Sequence, residues 1–274
     1  MRILSLGAGV QSTTLYLTDE WNYAIFADTQ EEPASVYTHL EWLKTVGRAP
    51  ILTRTIGKLG DDLMAGTNSD GKPHLLRNGA RVAAIPGYVR FPDRKDYGRT
   101  KRQCTREYKL DVIHQSVREI LGLRKRQRFP KDVRIIQGIG FSAEEMGRAG
   151  RCVAGWKRPQ IMPIFPLIER RWRREDCLNY LRTVVPHEVP RSSCVFCPFH
   201  SNVEWRWLRE QDPAGWARAV EIDKALRVKG NVVNRNMDAE MFVHRSCVPL
   251  DQADIEAVET GQLTFEGCTG GCAA

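Results

Sequence analysis

The chain has 274 residues, of which 42% are hydrophobic and 27% charged. These are ordinary values for a globular protein, and they exclude a disordered, collagen-like or fibrous chain. The length suits one large α/β domain or one domain with a smaller appendage. No apolar run approaches the roughly 18 residues of a membrane span, and the N-terminal residues lack an export cleavage site, so we expect a cytoplasmic protein without a membrane segment.

The net charge of +8 is unevenly distributed along the chain. Residues 88–128 hold 13 Lys and Arg against 5 Asp and Glu, an excess equal to that of the whole chain. Such a cluster is typical of proteins that bind nucleic acid or a phosphorylated small molecule. A solvated basic face is the alternative interpretation.

Strands and helices alternate through the first two thirds of the chain. Strands are predicted at Arg2–Leu6, Tyr23–Ala27, 51–56 and 133–136, with helices from residues 12 and 33 and over 110–121. This alternation predicts an α/β fold with a doubly wound, mostly parallel sheet. In residues 57–100 the apolar residues recur with neither a helical nor a strand period, which predicts a long functional loop or lid. A change in composition near Pro190 separates a domain of residues 1–190 from a Cys-rich helical region, 191–274, that packs on it.

Small residues follow the first strand, in the run Ser5-Leu6-Gly7-Ala8-Gly9-Val10-Gln11-Ser12. Their backbone N–H groups, together with the positive end of the helix dipole, would form a cradle for phosphate. The run lacks the Gly-Lys-Ser/Thr of a Walker A loop and the later glycine of a dinucleotide fingerprint. A tight strand-to-helix turn capped by Ser12 is the structural alternative.

Two further segments suit phosphate chemistry. Asp28 follows the second strand, at the edge where a parallel sheet collects ligands, and it could bind adenosine or Mg²⁺, or cap the next helix. Arg102, Arg106 and Lys109 cannot share one core face, so their cations suit phosphate or sulfate.

The end of the fourth predicted strand carries a third group of polar residues. Gly140 is followed by Ser142 and Glu145, which have the spacing of a helix capping box. Arg148 lies at the start of the same helix, where its charge opposes the helix dipole. An anion near Arg148 would explain its position.

Eight cysteines in a chain without an export signal suggest metal or redox chemistry. Cys194 and Cys197 have the spacing of one half of a tetrahedral metal site. Cys268 and Cys272 in the tail are candidates for the other half, and Cys247 is a weaker one. Four thiolates suit zinc and a [4Fe–4S] cluster equally by number.

Five segments, in order along the chain, resemble the PP-loop ATPase superfamily and, within it, the phosphoadenosine phosphosulfate (PAPS) reductase-like family with iron–sulfur cysteines. They are residues 5–12, Asp28-Thr29-Gln30 with Pro33 and Tyr37, residues 102–109, residues 140–148, and Ser192-Ser193-Cys194-Val195-Phe196-Cys197-Pro198-Phe199-His200. Gln11 stands where the superfamily usually has Asp, and Gly7 where it has Ser.

The resemblance implies an adenine nucleotide alpha hydrolase-like fold that binds ATP and Mg²⁺. The nucleotide-binding residues it implies are Ser5, Gly7, Ala8, Gly9, Gln11, Ser12, Asp28, Gly140 and Glu145. The catalytic residues it implies are Asp28, Lys109 and Arg148. For a [4Fe–4S] cluster, with zinc as the alternative, it implies Cys104, Cys194, Cys197 and Cys272, the last in competition with Cys268 and Cys247.

Three functions follow from these features. The first is an ATP-dependent sulfurtransferase that adenylates and thiolates tRNA or DNA, with sulfur from a donor protein or free sulfide. The second is a reductase of adenylyl or phosphoadenylyl sulfate that releases sulfite, but the tail lacks that family's histidine and Cys104 is followed by Thr105 instead of a second cysteine. The third is a zinc-stabilised nucleic-acid-binding protein, which leaves the glycine turn unexplained. A homodimer is one assembly that the sequence allows.

Overall fold

A computed structural model describes residues 1–65, 85–92, 97–100, 102–124, 126–228 and 239–258. The strands are β1 Arg2–Leu6, β2 Tyr23–Ala27, β3 Ile51–Arg54, β4 Tyr88–Arg90, β5 Tyr97–Arg99, β6 Ile135–Gly138, β7 Ile161–Ile164 and β8 Glu240–Phe242. The helices are α1 Val10–Thr18, α2 Ala34–Val46, α3 Leu59–Ala65, α4 Asp111–Ile120, α5 Met146–Ala154, α6 Pro166–Glu169, α7 Arg174–Val184, α8 Asn202–Gln211 and α9 Pro213–Ala225. A π-helical segment, Thr105–Leu110, leads into α4, and short 3₁₀ turns lie at Ala143–Glu145 and Leu250–Gln252.

Five strands form a parallel sheet in the order β3-β2-β1-β6-β7. In this register Leu6 of β1 lies opposite Phe26 of β2, and Leu4 lies opposite Gly138 of β6. The chain first winds from β1 to β3 on one side and then returns to β6 and β7 on the other. The predicted α/β, doubly wound, parallel architecture is confirmed.

Alternate residues of the strands face opposite layers of helices, as period-two patterning requires. Leu4 and Phe26 belong to a core cluster that they share with α1, α2 and α7. Ile3 and Ile25 belong to another, which they share with α4. Both faces of the sheet are therefore covered, which explains the almost continuous apolar runs of β1 and β2.

A small antiparallel sheet, β5-β4-β8, lies outside the main sheet. Its strand β4, together with α3 and β5, falls in residues 57–100, so the prediction of an irregular loop is wrong for those parts. A third core cluster combines residues such as Leu63 and Tyr108 with Phe196 and Trp205. This cluster draws on both sides of the predicted boundary at residue 190, and β8 pairs with β4 across it.

The longest helices in the described ranges, α2 and α9, have 13 residues each. Within those ranges no helix combines the length and apolar character needed to cross a membrane.

Candidate nucleotide and thiol site

The glycine turn lies where the winding of the sheet changes direction. β1 pairs with β2 on one side and β6 on the other, and such a switch point opens a crevice at the carboxyl ends of the strands. Ala8 has φ +55°, a left-handed value uncommon for alanine. The N–H groups of Gly7 and Gly9 donate to Ser12 Oγ over 3.1 and 3.3 Å. Ser12 therefore closes the turn, and the first amides of α1 are the donors offered to an anion.

The end of β6 packs directly against this turn. A Cβ atom on Gly140 would lie 3.0 Å from the backbone N of Ser12, so a larger residue there would push the glycine turn away. Ser5 is buried, and its Oγ accepts a hydrogen bond from Gln137 Nε2 over 2.8 Å. This bond joins the two strands that flank the crevice.

Gln11 joins α1 to two other segments through a buried hydrogen-bond network. Its Nε2 donates to Glu145 Oε2 over 3.2 Å, and its Oε1 accepts from Arg174 Nη1 over 3.0 Å. An amide satisfies both partners, whereas a carboxylate at this position would face Glu145. The network supplies a physical reason for Gln where the resembling family usually has Asp.

Arg148 lies on the same side of the crevice, and Glu145 supplies an anion close to it. The two side chains form an ion pair with side-chain exposures of 13% and 9%. The guanidinium also stacks on Phe141, 4.8 Å from the ring centroid. Its Nη2 is buried without a hydrogen-bond partner among the described residues. One donor of Arg148 is therefore available to a second anion.

Ser142 and Glu145 form the predicted capping box. Ser142 N donates to Glu145 Oε2 over 3.2 Å, and the side chain of Glu145 is thereby fixed between the turn and Arg148.

Asp28 reaches the same edge of the sheet from β2. Because Leu6 lies opposite Phe26, Asp28 lies level with Ala8. Its Oδ1 accepts hydrogen bonds from Tyr37 Oη over 2.9 Å and from the backbone N of Gln30 over 2.7 Å. Burial and the nearby Asp28 carboxylate raise the pKa of Tyr37, so this phenol remains a donor. Asp28 thus stabilises the loop after β2.

Lys109 is buried and paired with Glu32, a residue that the sequence analysis missed. Its Nζ lies 3.1 Å from Glu32 Oε1, and the two side chains are 6% and 0% exposed. Lys109 belongs to the π-helical segment Thr105–Leu110, and π-helical turns are frequent at functional sites. Glu32 and Lys109 join the loop after β2 to that segment.

The segment before the cysteine pair packs over the glycine turn. A Cβ atom on Gly9 would lie 3.3 Å from both the Cβ and the N of Ser192, and one on Gly7 would lie 3.4 Å from Ser192 Oγ. Ser192 Oγ also donates to Glu32 Oε2 over 3.5 Å. A larger residue at position 9 would therefore displace this segment as well as obstruct a ligand.

Cys194 is held against the loop after β2. Its Sγ lies 3.2 Å from Thr29 Oγ1, and the next residue, Val195, donates its backbone N–H to Glu31 O over 2.7 Å. The first thiol of the Cys-x-x-Cys pair is thus at the same edge of the sheet as the glycine turn.

Three of the four predicted metal ligands are described. Cys194 and Cys197 are 7% and 8% exposed, and Cys197 N donates to Cys194 O over 2.9 Å in a tight turn. Cys104 is 9% exposed and belongs to the same core cluster as Cys194. In the part of the chain that the structure covers, no three His, Cys, Asp or Glu side chains are grouped closely enough to hold a metal ion. Cys272 lies outside the described residues.

The alternative fourth ligands differ in position. Cys268 also lies outside the described residues. Cys247 is fully buried after β8, with φ +52°, and burial raises the pKa of its thiol.

Polar and cationic groups surround the cysteine turn. Ser193 Oγ and His200 Nε2 are 2.7 Å apart, and burial lowers the pKa of His200 to about 3, so the imidazole is neutral. Arg99 and Arg102 lie over the ring of Phe199, at 5.3 and 5.6 Å from its centroid. Two cations are therefore close to Cys197.

The other part of the predicted basic segment lies elsewhere. Arg124 and Gln127 follow the carboxyl end of α4, and their backbone carbonyls each accept a hydrogen bond from Arg118 Nη2 over 2.7 Å. The carboxyl ends of the strands carry the glycine turn. Because α4 runs antiparallel to the strands, Arg124 is at the opposite edge of the sheet from the candidate site.

Comparisons with family models, curated proteins and solved structures found no match.

Proposed function

We propose that the protein is an ATP-dependent sulfurtransferase of the PP-loop type that adenylates a nucleic acid, tRNA or DNA, and then replaces AMP with sulfur. One observation carries this proposal: Ser192 packs on the glycine turn and Cys194 contacts Thr29, so a thiol pair adjoins the switch point of the sheet. Nucleotide activation and sulfur transfer require these two features to be neighbours.

The first half-reaction uses the crevice between β1 and β6. A base oxygen attacks the α-phosphorus of ATP, the bond to the leaving oxygen breaks, and pyrophosphate departs. The first amides of α1 and Arg148 Nη2 are donors suited to the charge that develops on phosphate oxygens. Asp28 would hold Mg²⁺ through its carboxylate, which matches the oxygen ligands that Mg²⁺ prefers.

The second half-reaction uses sulfur delivered as sulfide or by a donor protein. Sulfur attacks the activated carbon, the carbon–oxygen bond to AMP breaks, and a thiolated base and AMP are released. Cys194 and Cys197, which share one tight turn, would supply two thiolate ligands for iron or zinc, and Cys104 of the same core cluster and Cys272 would supply the others. A [4Fe–4S] cluster bound there would supply an iron site for sulfide.

Cations beside the cysteine turn support a polyanionic substrate. Arg99 and Arg102 lie over Phe199, two residues after Cys197. Arginine and an aromatic ring together suit a phosphate backbone with exposed bases. The substrate would therefore approach from the side of the small sheet.

The test is release of pyrophosphate from ATP that depends on added tRNA or DNA. Arg148→Ala should slow this release by about 10²-fold, since it removes a donor to the transition state. Arg173→Ala, at an exposed arginine that precedes α7, is the matched control and should have no effect. Anaerobic protein should contain iron and sulfide and absorb near ~400 nm, and Cys194→Ser should bleach it.

Two results would overturn the proposal. One is release of sulfite from phosphoadenylyl sulfate with a thiol reductant and no turnover of ATP, which would identify a reductase. The other is colourless protein with one zinc ion that binds nucleic acid and turns over neither nucleotide.

A further inference from the structure

A cleft of about 600 Å³ opens between the start of α4 and the end of α5. None of its lining residues belongs to the glycine turn or to the cysteine turn. Four cationic residues line it: Arg106, Arg151, Lys157 and Arg158. The candidate site described above does not use this cleft.

The cations leave an uncompensated positive charge around the opening. Arg158 pairs with Asp111, the acidic lining residue, at 3.1 Å. Arg106, Arg151 and Lys157 form no ion pair with any residue in the described ranges. Three unpaired cations on one opening attract an anion, and the guanidinium fork of arginine matches the geometry of phosphate.

His114 lines the cleft and is nearly buried. It is 6% exposed, and neither ring nitrogen has a hydrogen bond to a described residue. Gln137, fully buried behind the cleft, is its polar neighbour. Burial and the charge of Arg158 lower the pKa of His114 to about 3, so the neutral ring offers one donor and one acceptor. Unmade hydrogen bonds of buried groups are costly, and a ligand would satisfy them.

Trp156 adds a flat, fixed surface next to His114. The rings meet edge to face with centroids 5.7 Å apart, and Trp156 Nε1 donates to Ile161 O over 2.6 Å. The volume exceeds what inorganic phosphate alone would fill. We propose that this cleft binds a nucleoside phosphate, with the phosphate at Arg106, Arg151 and Lys157 and the base against His114 and Trp156.

The site goes beyond the proposed sulfur transfer and does not depend on it. The same chemistry would accept a free mononucleotide or one nucleotide of a single-stranded nucleic acid. Uridine 5′-monophosphate and a 12-residue oligouridylate, each titrated by calorimetry, distinguish these sources. Much tighter binding of the oligomer indicates a polynucleotide, and equal binding indicates a free nucleotide.

The variant Arg151→Glu with Lys157→Glu should weaken binding of both probes at least about tenfold. Lys44→Glu with Arg48→Glu changes the charge equally on exposed residues of the α2 region and should leave binding unchanged. On binding, the ¹⁵N resonances of the His114 ring should shift, and His114→Phe, which assigns them, should weaken binding.

Three results would overturn this site. Binding that the control variant weakens equally would show general electrostatic attraction. His114 resonances that stay fixed at saturation would place the nucleotide outside the cleft. Loss of uridine monophosphate binding in Arg148→Ala would place the nucleotide in the crevice of the glycine turn. Failure of the sulfurtransferase assay would leave this binding test unaffected.

Discussion

The buried ion pair between Glu32 and Lys109 makes a quantitative prediction. Its side chains are 0% and 6% exposed, with Nζ and Oε1 3.1 Å apart. Glu32→Gln leaves the ammonium of Lys109 buried without this carboxylate. Breaking a buried pair on one side typically costs about 3–5 kcal/mol. Because the amide of Gln can still accept a hydrogen bond, we expect a loss of about 3 kcal/mol in the free energy of unfolding.

A double-mutant cycle with Lys109→Met isolates the interaction between the two side chains. Urea unfolding at 25 °C, followed by circular dichroism, should give a coupling energy of about 3 kcal/mol. The exposed pair Lys44–Glu41, 2.6 Å apart with side chains 38% and 69% exposed, is the matched control and should couple by less than about 1 kcal/mol. Equal coupling in the two cycles would refute the argument that burial makes the Glu32–Lys109 pair a structural element of the site.

Three further changes test the site and the core. Gly140→Ala should lower the free energy of unfolding by about 1–3 kcal/mol, because its Cβ would lie 3.0 Å from Ser12 N; in the control Gly150→Ala, whose Cβ meets nothing within 4 Å, helix stability should rise. Gln11→Glu should destabilise the protein more at pH 7 than at pH 4, since the new carboxylate faces Glu145 and like charges favour the protonated form; equal destabilisation at both pH values would contradict this. Burial lowers the pKa of His39 and His244 to about 4, so the unfolded chain binds more protons than the folded one between pH 6.5 and 4. Stability should therefore fall as the pH is lowered through this range, with a slope of at most about 1.4 kcal/mol per histidine per pH unit; urea midpoints that do not change over this range would refute it.

Local sequence patterns were sufficient to predict the central strands of the parallel sheet. β1 and β2 have the predicted bounds because each is a continuous apolar run in a buried parallel sheet. β6 was displaced by two residues from its prediction, since apolar character extends beyond the hydrogen-bonded region. β7 was missed, and its Pro163 interrupts the usual strand signal.

The short strands β4, β5 and β8 have three residues each and form through pairing between distant segments. So short a run carries little periodicity of its own. The sequence therefore gave no basis for predicting the small sheet.

In the candidate site, too, features formed by neighbouring residues could be predicted from the sequence, and contacts between distant segments could not. The glycine turn and the capping box of Ser142 and Glu145 are local, and their residues could be identified from spacing. The contacts of Glu32 with Lys109 and of Ser192 with Gly9 join segments far apart in the chain. Only packing in three dimensions brings these residues together.

The most direct test of the proposed function is transfer of labelled sulfur. Anaerobic protein is incubated with ATP, Mg²⁺, [³⁵S]sulfide and tRNA or DNA, and the nucleic acid is digested to nucleosides. We predict a labelled thionucleoside, with one AMP and one pyrophosphate released for each sulfur transferred. Label that stays in the protein or remains free sulfide, with no ATP consumed, would contradict the account.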